Sequence, residues 1–331
     1  MSQPARRPAP ADAGQPERRR GRALLAAGAA VVLWGISFPV IRVAVRELAP
    51  LALALGRFLL AAALLWPLAR RRGVRLERKD LPSVTLLGFL GVTVYFAFEN
   101  WAMRFTTASQ ASLIVAAIPL GTGAVEAFQR RRFPGPGFLV GTAAAVAGVA
   151  VIVRPDGAGG ATNPLLGDAL LLGAMASWVA YTFLARRLMA RYPVLLLTAA
   201  TMVAGAATLL PLALLEAIFL PPRLPSAGGW AALVYLGLLC SAAAYLLWNF
   251  ALPVLEVGVS SNLLNVIPLV SVVTGVLALG EPFTPALVGG GALILGGVVA
   301  VERASARASA RASARASARA GAPAPGAIDA Q

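Results

Sequence analysis

The sequence predicts an all-α membrane protein of ten transmembrane helices, arranged as two inverted five-helix repeats. Three observations carry that expectation: ten apolar runs of spanning length, basic residues gathered at alternate connections, and an internal duplication. Bulk composition frames them. Of 331 residues, 58% are hydrophobic and 13% charged, and mean hydropathy is +0.76. Soluble chains carry about 25% charged residues, so a water-exposed fold could not cover this much apolar surface.

A spanning helix needs about 20 mostly apolar residues. Such runs lie at 23–43, 50–69, 81–101, 107–129, 136–153, 165–185, 194–219, 230–252, 258–279 and 285–301. Residues 1–22 form a polar, Pro- and Arg-rich N-terminal tail. The run that follows reads as a retained span, because it is long enough to cross and shows no persuasive small-residue cleavage site. Residues 23–153 make the first repeat, 165–301 the second, and 302–331 a low-complexity tail. No connection is long enough for a soluble domain. Every backbone amide in hydrocarbon must be satisfied within its helix or by neighbours, which makes a helical bundle the natural architecture.

Charge placement fixes the count. The chain has 29 Lys and Arg against 14 Asp and Glu, a formal net charge of +15. The basic residues fall in bursts between apolar runs, not along one soluble face, which argues against a nucleic-acid partner. They collect at residues 1–22, Arg70 to Lys79, Arg130 to Arg132, Arg186 to Arg191, and the tail. With ten spans all five groups share one side, which the positive-inside rule makes cytoplasmic. Both termini are then cytoplasmic and the chain lies in the cell membrane. Arg42, Arg46, Arg104, Arg154 and Arg223 sit near the opposite ends of spans. In the tail, Ala-Ser-Ala-Arg repeats put Arg303, Arg307, Arg311, Arg315 and Arg319 four apart. The tail is expected to be disordered; as a helix its basic stripe would suit anionic lipid.

Cys240 is the single cysteine and there is no histidine. An intramolecular disulfide, histidine relays, Ser-His hydrolysis and most zinc chemistry are thereby removed. No cofactor, metal site or catalytic residue is expected.

Residues 100–148 align without a gap on 249–297. Asn100 falls on Asn249, Ser112 on Ser261, Ile118-Pro119-Leu120 on Ile267-Pro268-Leu269, Pro136 on Pro285 and Gly141 on Gly290. Trp34 corresponds to Trp178 at a different offset. A half with five spans is odd, so its copy enters the membrane from the opposite face. Inverted repeats of this kind are a recurrent plan of secondary transporters, with the substrate site between halves near the midplane.

The motifs resemble those of the drug/metabolite transporter superfamily, EamA type. They are Trp34-Gly35-Ile36-Ser37-Phe38-Pro39, Gly56-Arg57-Phe58, Glu99-Asn100-Trp101-Ala102-Met103-Arg104-Phe105-Thr106-Thr107-Ala108, and Gly280-Glu281-Pro282-Phe283-Thr284-Pro285. The resemblance covers about residues 24–302. It implies ten helices around a central cavity and export or exchange of small metabolites, often amino acids or related solutes, leaving the substrate open. One departure is clear: family members carry a Gly-Glu turn at both elbows, whereas the shifted position of Glu281 is Arg132.

Polar residues in a membrane are expensive and usually face a cavity or a partner. Arg57 reads as half of a structural ion pair or as a contact for a substrate carboxylate. Glu99 reads as an exposed helix end, a partner of Arg57 or Arg104, or a carrier of a coupling proton, and Asn100 stands beside it. Trp34, Ser37, Phe38, Tyr95, Trp178, Tyr181, Tyr245 and Trp248 are candidates to line a cavity that grips apolar or aromatic solutes by packing. Asn262 and Asn265 share a helix face and suit either helix–helix hydrogen bonds or the cavity. Pro119 and Pro268 are expected to kink their spans, as is Pro39 late in span one. The glycines of spans five and ten are read as close-packing surfaces, which scaffold the halves or join two copies in a homodimer. The leading function is secondary transport by alternating access; a channel or scaffold, and less so a lipid-modifying enzyme, are the alternatives.

Overall fold

In the computed structural model, which describes residues 14–73, 75–129, 135–152, 162–251, 254–255 and 263–320, every regular element is helical and no strand occurs among the described residues. The first half holds α1 (Gly14–Ala44), α2 (Pro50–Arg70), α3 (Leu81–Gly88), α4 (Tyr95–Ala102), α5 (Ala108–Val115), α6 (Ile118–Gln129) and α7 (Pro136–Ile152). The second holds α8 (Pro164–Met189), α9 (Val194–Phe219), α10 (Ala227–Val234), α11 (Ala244–Ala251), α12 (Val266–Leu279) and α13 (Pro285–Ala320). A π-helical stretch, Phe89–Val94, welds α3 to α4, and another, Tyr235–Ala243, welds α10 to α11.

Local chemistry sets the helix ends. Pro50, Pro82 and Pro164 stand in the first turns of α2, α3 and α8, where a missing N–H costs nothing. Thr107 and Gln110 form a capping box at α5, and Ser226 caps α10 through Gly229 N at 3.2 Å. The Gly-Glu-Pro-Phe-Thr-Pro elbow has a part for most of its residues. Gly280 ends α12 in the left-handed region (φ 65°), Thr284 accepts from Leu287 N at 3.1 Å, and Pro285 opens α13.

Among the described residues seven helices are long and apolar enough to cross a membrane: Glu17–Ala44, Pro50–Arg70, Arg78–Ala102, Ala108–Val125, Pro164–Met189, Val194–Phe219 and Ala227–Ala251. Pro136–Val151, Val266–Leu279 and Pro285–Val301 are apolar but shorter. The first two of these adjoin residues 153–161 and 256–262, which lie outside the described residues. Large apolar side chains on the outer surface, such as Leu25, Ile218 and Leu277, are more than two-thirds exposed, as a lipid-facing surface requires.

One expectation needs correction. The tail continues α13 as helix to Ala320. Extension of an existing helix escapes the nucleation cost that a free Ala/Ser/Arg peptide would meet, and Ala and Arg favour helix. The duplicated prolines interrupt their spans at equivalent places. Span four breaks at Ala116 and Ala117, and the run into α12 breaks at Asn265, positions equivalent under the duplication. A proline clashes with the carbonyl four residues before it, so each chain breaks there and restarts with Pro119 or Pro268 in the new first turn. Pro39, by contrast, is carried inside α1.

The two halves interdigitate. α1 packs on α11, α12 and the second π-stretch, while α8 packs on α4, α5, α6 and the first π-stretch. α2 lies against α9, and α7 against α13. The α7–α13 contact is backbone to backbone: a Cβ at Gly141 would lie 2.6 Å from Gly297 O, and one at Gly148 2.5 Å from Gly290 O. The small-residue faces of spans five and ten thus scaffold the halves. Gly297→Val should therefore cost about 1–3 kcal/mol through overpacking, whereas Gly296→Ala, with nothing within 4 Å, should melt like the parent. Thermal unfolding of both variants in one detergent checks this, and equal melting would refute the contact.

Candidate functional site

π-Helical turns are rare and cluster at functional sites, because the widened turn leaves a carbonyl without its usual helical partner. Here each stretch offers a carbonyl to the first helix of the opposite half. Trp34 Nε1 on α1 donates to Cys240 O at 3.1 Å, and Ser177 Oγ on α8 donates to Leu90 O at 2.8 Å. Trp34 is held directly by its bond, and Ser177, the residue before Trp178, makes the corresponding one. Glycines make room: the Tyr181 ring lies on Gly91, and Leu60 on Gly237. Apolar periodicity carries no mark of a π-turn, and a lone glycine in a membrane helix is too common to reveal one.

The aromatic candidates converge. Trp248 and Tyr245 each have ring centroids 5.5 Å from Trp34. Tyr245 is 6.4 Å from Trp178, and Trp178 is 4.9 Å from Tyr181 and 5.0 Å from Tyr95. Tyr95 reaches Phe96 at 4.7 Å, and Phe96 reaches Phe58 at 4.6 Å. This continuous chain of rings joins α1, α2, α4, α8 and α11. Tyr95 and Tyr245 are buried, while Trp34, Trp178, Tyr181 and Trp248 are half-buried.

Charge sits at one end of it. Arg57 is 2% exposed, with its guanidinium carbon 4.4 Å from the Phe96 centroid and 5.3 Å from that of Phe58. Its Nε donates to Ser241 Oγ at 2.9 Å, and its Nη1 finds no protein partner. Glu99 is also buried, not exposed at a helix end. Its Oε1 accepts from Tyr95 Oη at 3.0 Å, its Oε2 has no protein partner, and it lies within electrostatic reach of Arg57. Arg104 is no partner for it: that guanidinium lies over Trp101 at 5.6 Å. Both amide atoms of Asn265, at the break before α12, are likewise buried without a partner. Each such group costs about 1–3 kcal/mol unless something satisfies it, and the orphaned atoms of Arg57 and Glu99 stand beside the rings, where a ligand could satisfy them.

Other candidates have structural duties. Asn100 Nδ2 donates to Pro50 O at 2.9 Å, and its duplicate Asn249 donates to Thr198 Oγ1 at 2.7 Å. Each amide ties its helix to the early part of the second spanning helix of its own half. Ser37 Oγ donates to Trp34 O at 2.6 Å, and Phe38 packs with Ile41, Leu53, Leu171 and Leu236. Asn262 and Arg130 to Arg132 lie outside the described residues.

Glu281 reaches across the halves. It accepts from Ala108 N at 2.8 Å, from Ser109 N at 3.1 Å and from Ser109 Oγ, capping α5. Arg42 Nε stands 3.7 Å from it and Arg42 Nη1 donates to Met103 O at 3.2 Å. Two more carboxylates do the same at this Arg-poor end. Glu216 accepts from Leu51 N and Ala52 N at 2.8 and 3.2 Å, capping α2. Glu47 accepts from Ser226 N at 2.8 Å, ahead of α10. Negative side chains there also meet the positive ends of the helix dipoles. Asp168 adds a bond from Thr106 Oγ1 at 3.3 Å. At the Arg-rich end the halves meet through Asp80, which accepts from Tyr192 Oη at 2.7 Å and from Arg191 at 3.3 Å. Sequence reasoning missed Ser177, Ser241, Glu47 and Asp168, since nothing local announces a partner some 60 to 180 residues away.

Comparison with known proteins places this architecture. The EamA-like transporter family profile matches residues 21–154 and again 165–303. The chain is 32% identical over 277 residues to an uncharacterized transporter of Archaeoglobus fulgidus, covering 82% of this chain and 96% of that one. It is 33% identical over 274 residues to a "probable terminal-alkyne amino-acid exporter" of Streptantibioticus cattleyicolor, covering 82% and 91%. A crystal structure shares the fold, with a TM-score of 0.61 at 24% identity over 84% of this chain and 97% of that one.

Proposed function

The chain belongs to the EamA-like transporter family, and from that premise we propose that it is a secondary transporter of small metabolites, amino acids or related solutes, working by alternating access. The proposal includes ten spans in two inverted halves, both termini in the cytoplasm, and residence in the cell membrane. The observation that carries it is the chain of buried and half-buried rings between halves, flanked by the unsatisfied atoms of Arg57 and Glu99. A site with a cation, an anion and an aromatic wall suits a zwitterion with an apolar side chain. The carboxylate would meet Arg57 Nη1 and the ammonium Glu99 Oε2, while the rings pack on the side chain. The amino-acid exporter among its relatives points the same way.

Counterflow in proteoliposomes loaded with a panel of amino acids tests the reading. Saturable uptake driven by internal substrate is the expected result; flux that never saturates and shows no counter-transport would favour a channel. Glu99→Gln should raise the KM for an amino acid about tenfold, the scale of one charge-assisted hydrogen bond. The KM for the corresponding deaminated acid should change less than about twofold. An equal change for both compounds would remove Glu99 from ammonium recognition. In the same assay, a pH profile unaltered in the variant would exclude Glu99 as a proton-coupling residue.

A further inference from the structure

We propose that the groove between α3 and α9 binds one anionic phospholipid, with its headgroup at Arg78. The groove measures about 700 Å³. Arg78, Leu81, Pro82, Thr85, Leu86 and Phe89 form one wall and Thr208 stands on the other. The spacing of the first wall is a single helix face, running from the Arg-rich end of the span to the start of the first π-stretch. Eleven residues at about 1.5 Å per residue cover about 16 Å, half of the roughly 30 Å hydrocarbon core. The groove is therefore as deep as one leaflet.

Its lining suits an acyl chain. Leu81, Leu86 and Phe89 are each more than a third exposed. Thr208 turns its hydroxyl inward, to Ala204 O at 3.0 Å and Thr93 Oγ1 at 2.7 Å. The groove lies on the flank of two spanning helices, so acyl chains are what surround it.

Arg78 decides the headgroup. Its neighbours are committed: Lys79 Nζ lies 2.6 Å from Glu77, and Asp80 is held by Arg191 and Tyr192. Arg78 makes no ion pair among the described residues, and it stands where a lipid phosphate would be. Basic residues at such interhelical sites select anionic headgroups. Under the orientation proposed above the lipid comes from the cytoplasmic leaflet; the binding itself does not depend on transport.

Native mass spectrometry and thermal unfolding of the full chain in mild detergent test this, with phosphatidylglycerol and phosphatidylcholine of identical acyl chains as probes. The parent should retain phosphatidylglycerol about fivefold better, the scale of one basic residue at a lipid surface. Arg78→Gln should abolish the preference and leave phosphatidylcholine binding unchanged. Leu86→Trp, which fills the groove from an exposed position, should lower binding of both lipids. Arg223→Gln, at the opposite end, should behave like the parent. Equal retention of the two lipids by the parent, a preference that survives Arg78→Gln, or undiminished binding in Leu86→Trp would each overturn the proposal.

Discussion

Arg57→Gln is expected to reduce transport of a zwitterionic substrate by about 10- to 100-fold while leaving the protein as stable as the parent or slightly more so. The two effects have separate causes. A charge-assisted hydrogen bond to a substrate carboxylate is worth about 1.5–3 kcal/mol, and each 1.4 kcal/mol is a factor of ten. Burial of a guanidinium with one nitrogen unpaired costs stability, and replacement of such a charge by a shorter neutral group relieves that cost, which offsets the packing lost beyond Nε. Glutamine can keep a hydrogen bond to Ser241, which now holds Arg57 Nε at 2.9 Å. Lysine should not rescue transport. It lacks the planar fork that lies over Phe96 and presents a second nitrogen to a carboxylate. Counterflow rates and thermal melts measured on the same preparations decide the matter. If Arg57 were chiefly the counter-ion of Glu99, Arg57→Gln would leave a bare buried carboxylate and the melt would fall. The double variant with Glu99→Gln would then recover it. That pattern would move Arg57 from recognition to architecture.

Much of this site was legible before the structure. Trp and Tyr combine a large apolar ring with a polar group that needs a partner, so Trp34, Tyr95, Trp178, Tyr181, Tyr245 and Trp248 stood out in the apolar runs, and the structure brings them into one chain of rings. Period and composition cannot show a helix widening by one residue, so the π-stretches were invisible, and with them the roles of Ser177 and Ser241. The exposed-end reading of Glu99 fails for a related reason, and the duty of Glu216 could not be read at all. A carboxylate at the end of a span looks solvated in one dimension, yet Glu216 closes on the first turn of α2, 164 and 165 residues away in sequence. The duplication foretold the equivalent breaks at Ala116 and Asn265 but not their form, because a proline permits a kink or a restart. The inequality of the two elbows was readable at once. Only the structure shows what Glu281 does at one of them.

Removal of that carboxylate should have the largest effect on stability. Glu281→Ala strips two backbone amides and a hydroxyl of α5 of their acceptor and leaves Arg42, 7% exposed, without its buried counter-ion. Loss of one member of a buried ion pair costs about 3–5 kcal/mol, so unfolding in detergent should shift by that amount. Gly275→Ala should act in the same direction with smaller size. Its Cβ would stand 2.7 Å from Glu281 Oε2 and 3.0 Å from Ser109 Oγ, and the carboxylate would have to withdraw. The double variant Arg42→Met with Glu281→Met separates charge from capping. It removes both buried charges and should recover most of the loss, leaving a deficit of about 1–2 kcal/mol for the uncapped first turn of α5. A Glu281→Ala protein that melts with the parent would sink the argument. So would a double variant no better than the single one. The same numbers bear on alternating access. Glu281, Glu216 and Glu47 tie the halves together at the Arg-poor end, and a transporter that opens there must release such bonds in every cycle. Their hydrogen bonds come from backbone amides and two serine hydroxyls, groups that water can take over on opening, so the net cost per bond is about 1 kcal/mol. Glu281 with Arg42 carries about 3–5 kcal/mol by the argument above, and the four hydrogen bonds of Glu216 and Glu47 about 4 kcal/mol more, so a substrate that opens this end must favour the open state by a comparable margin.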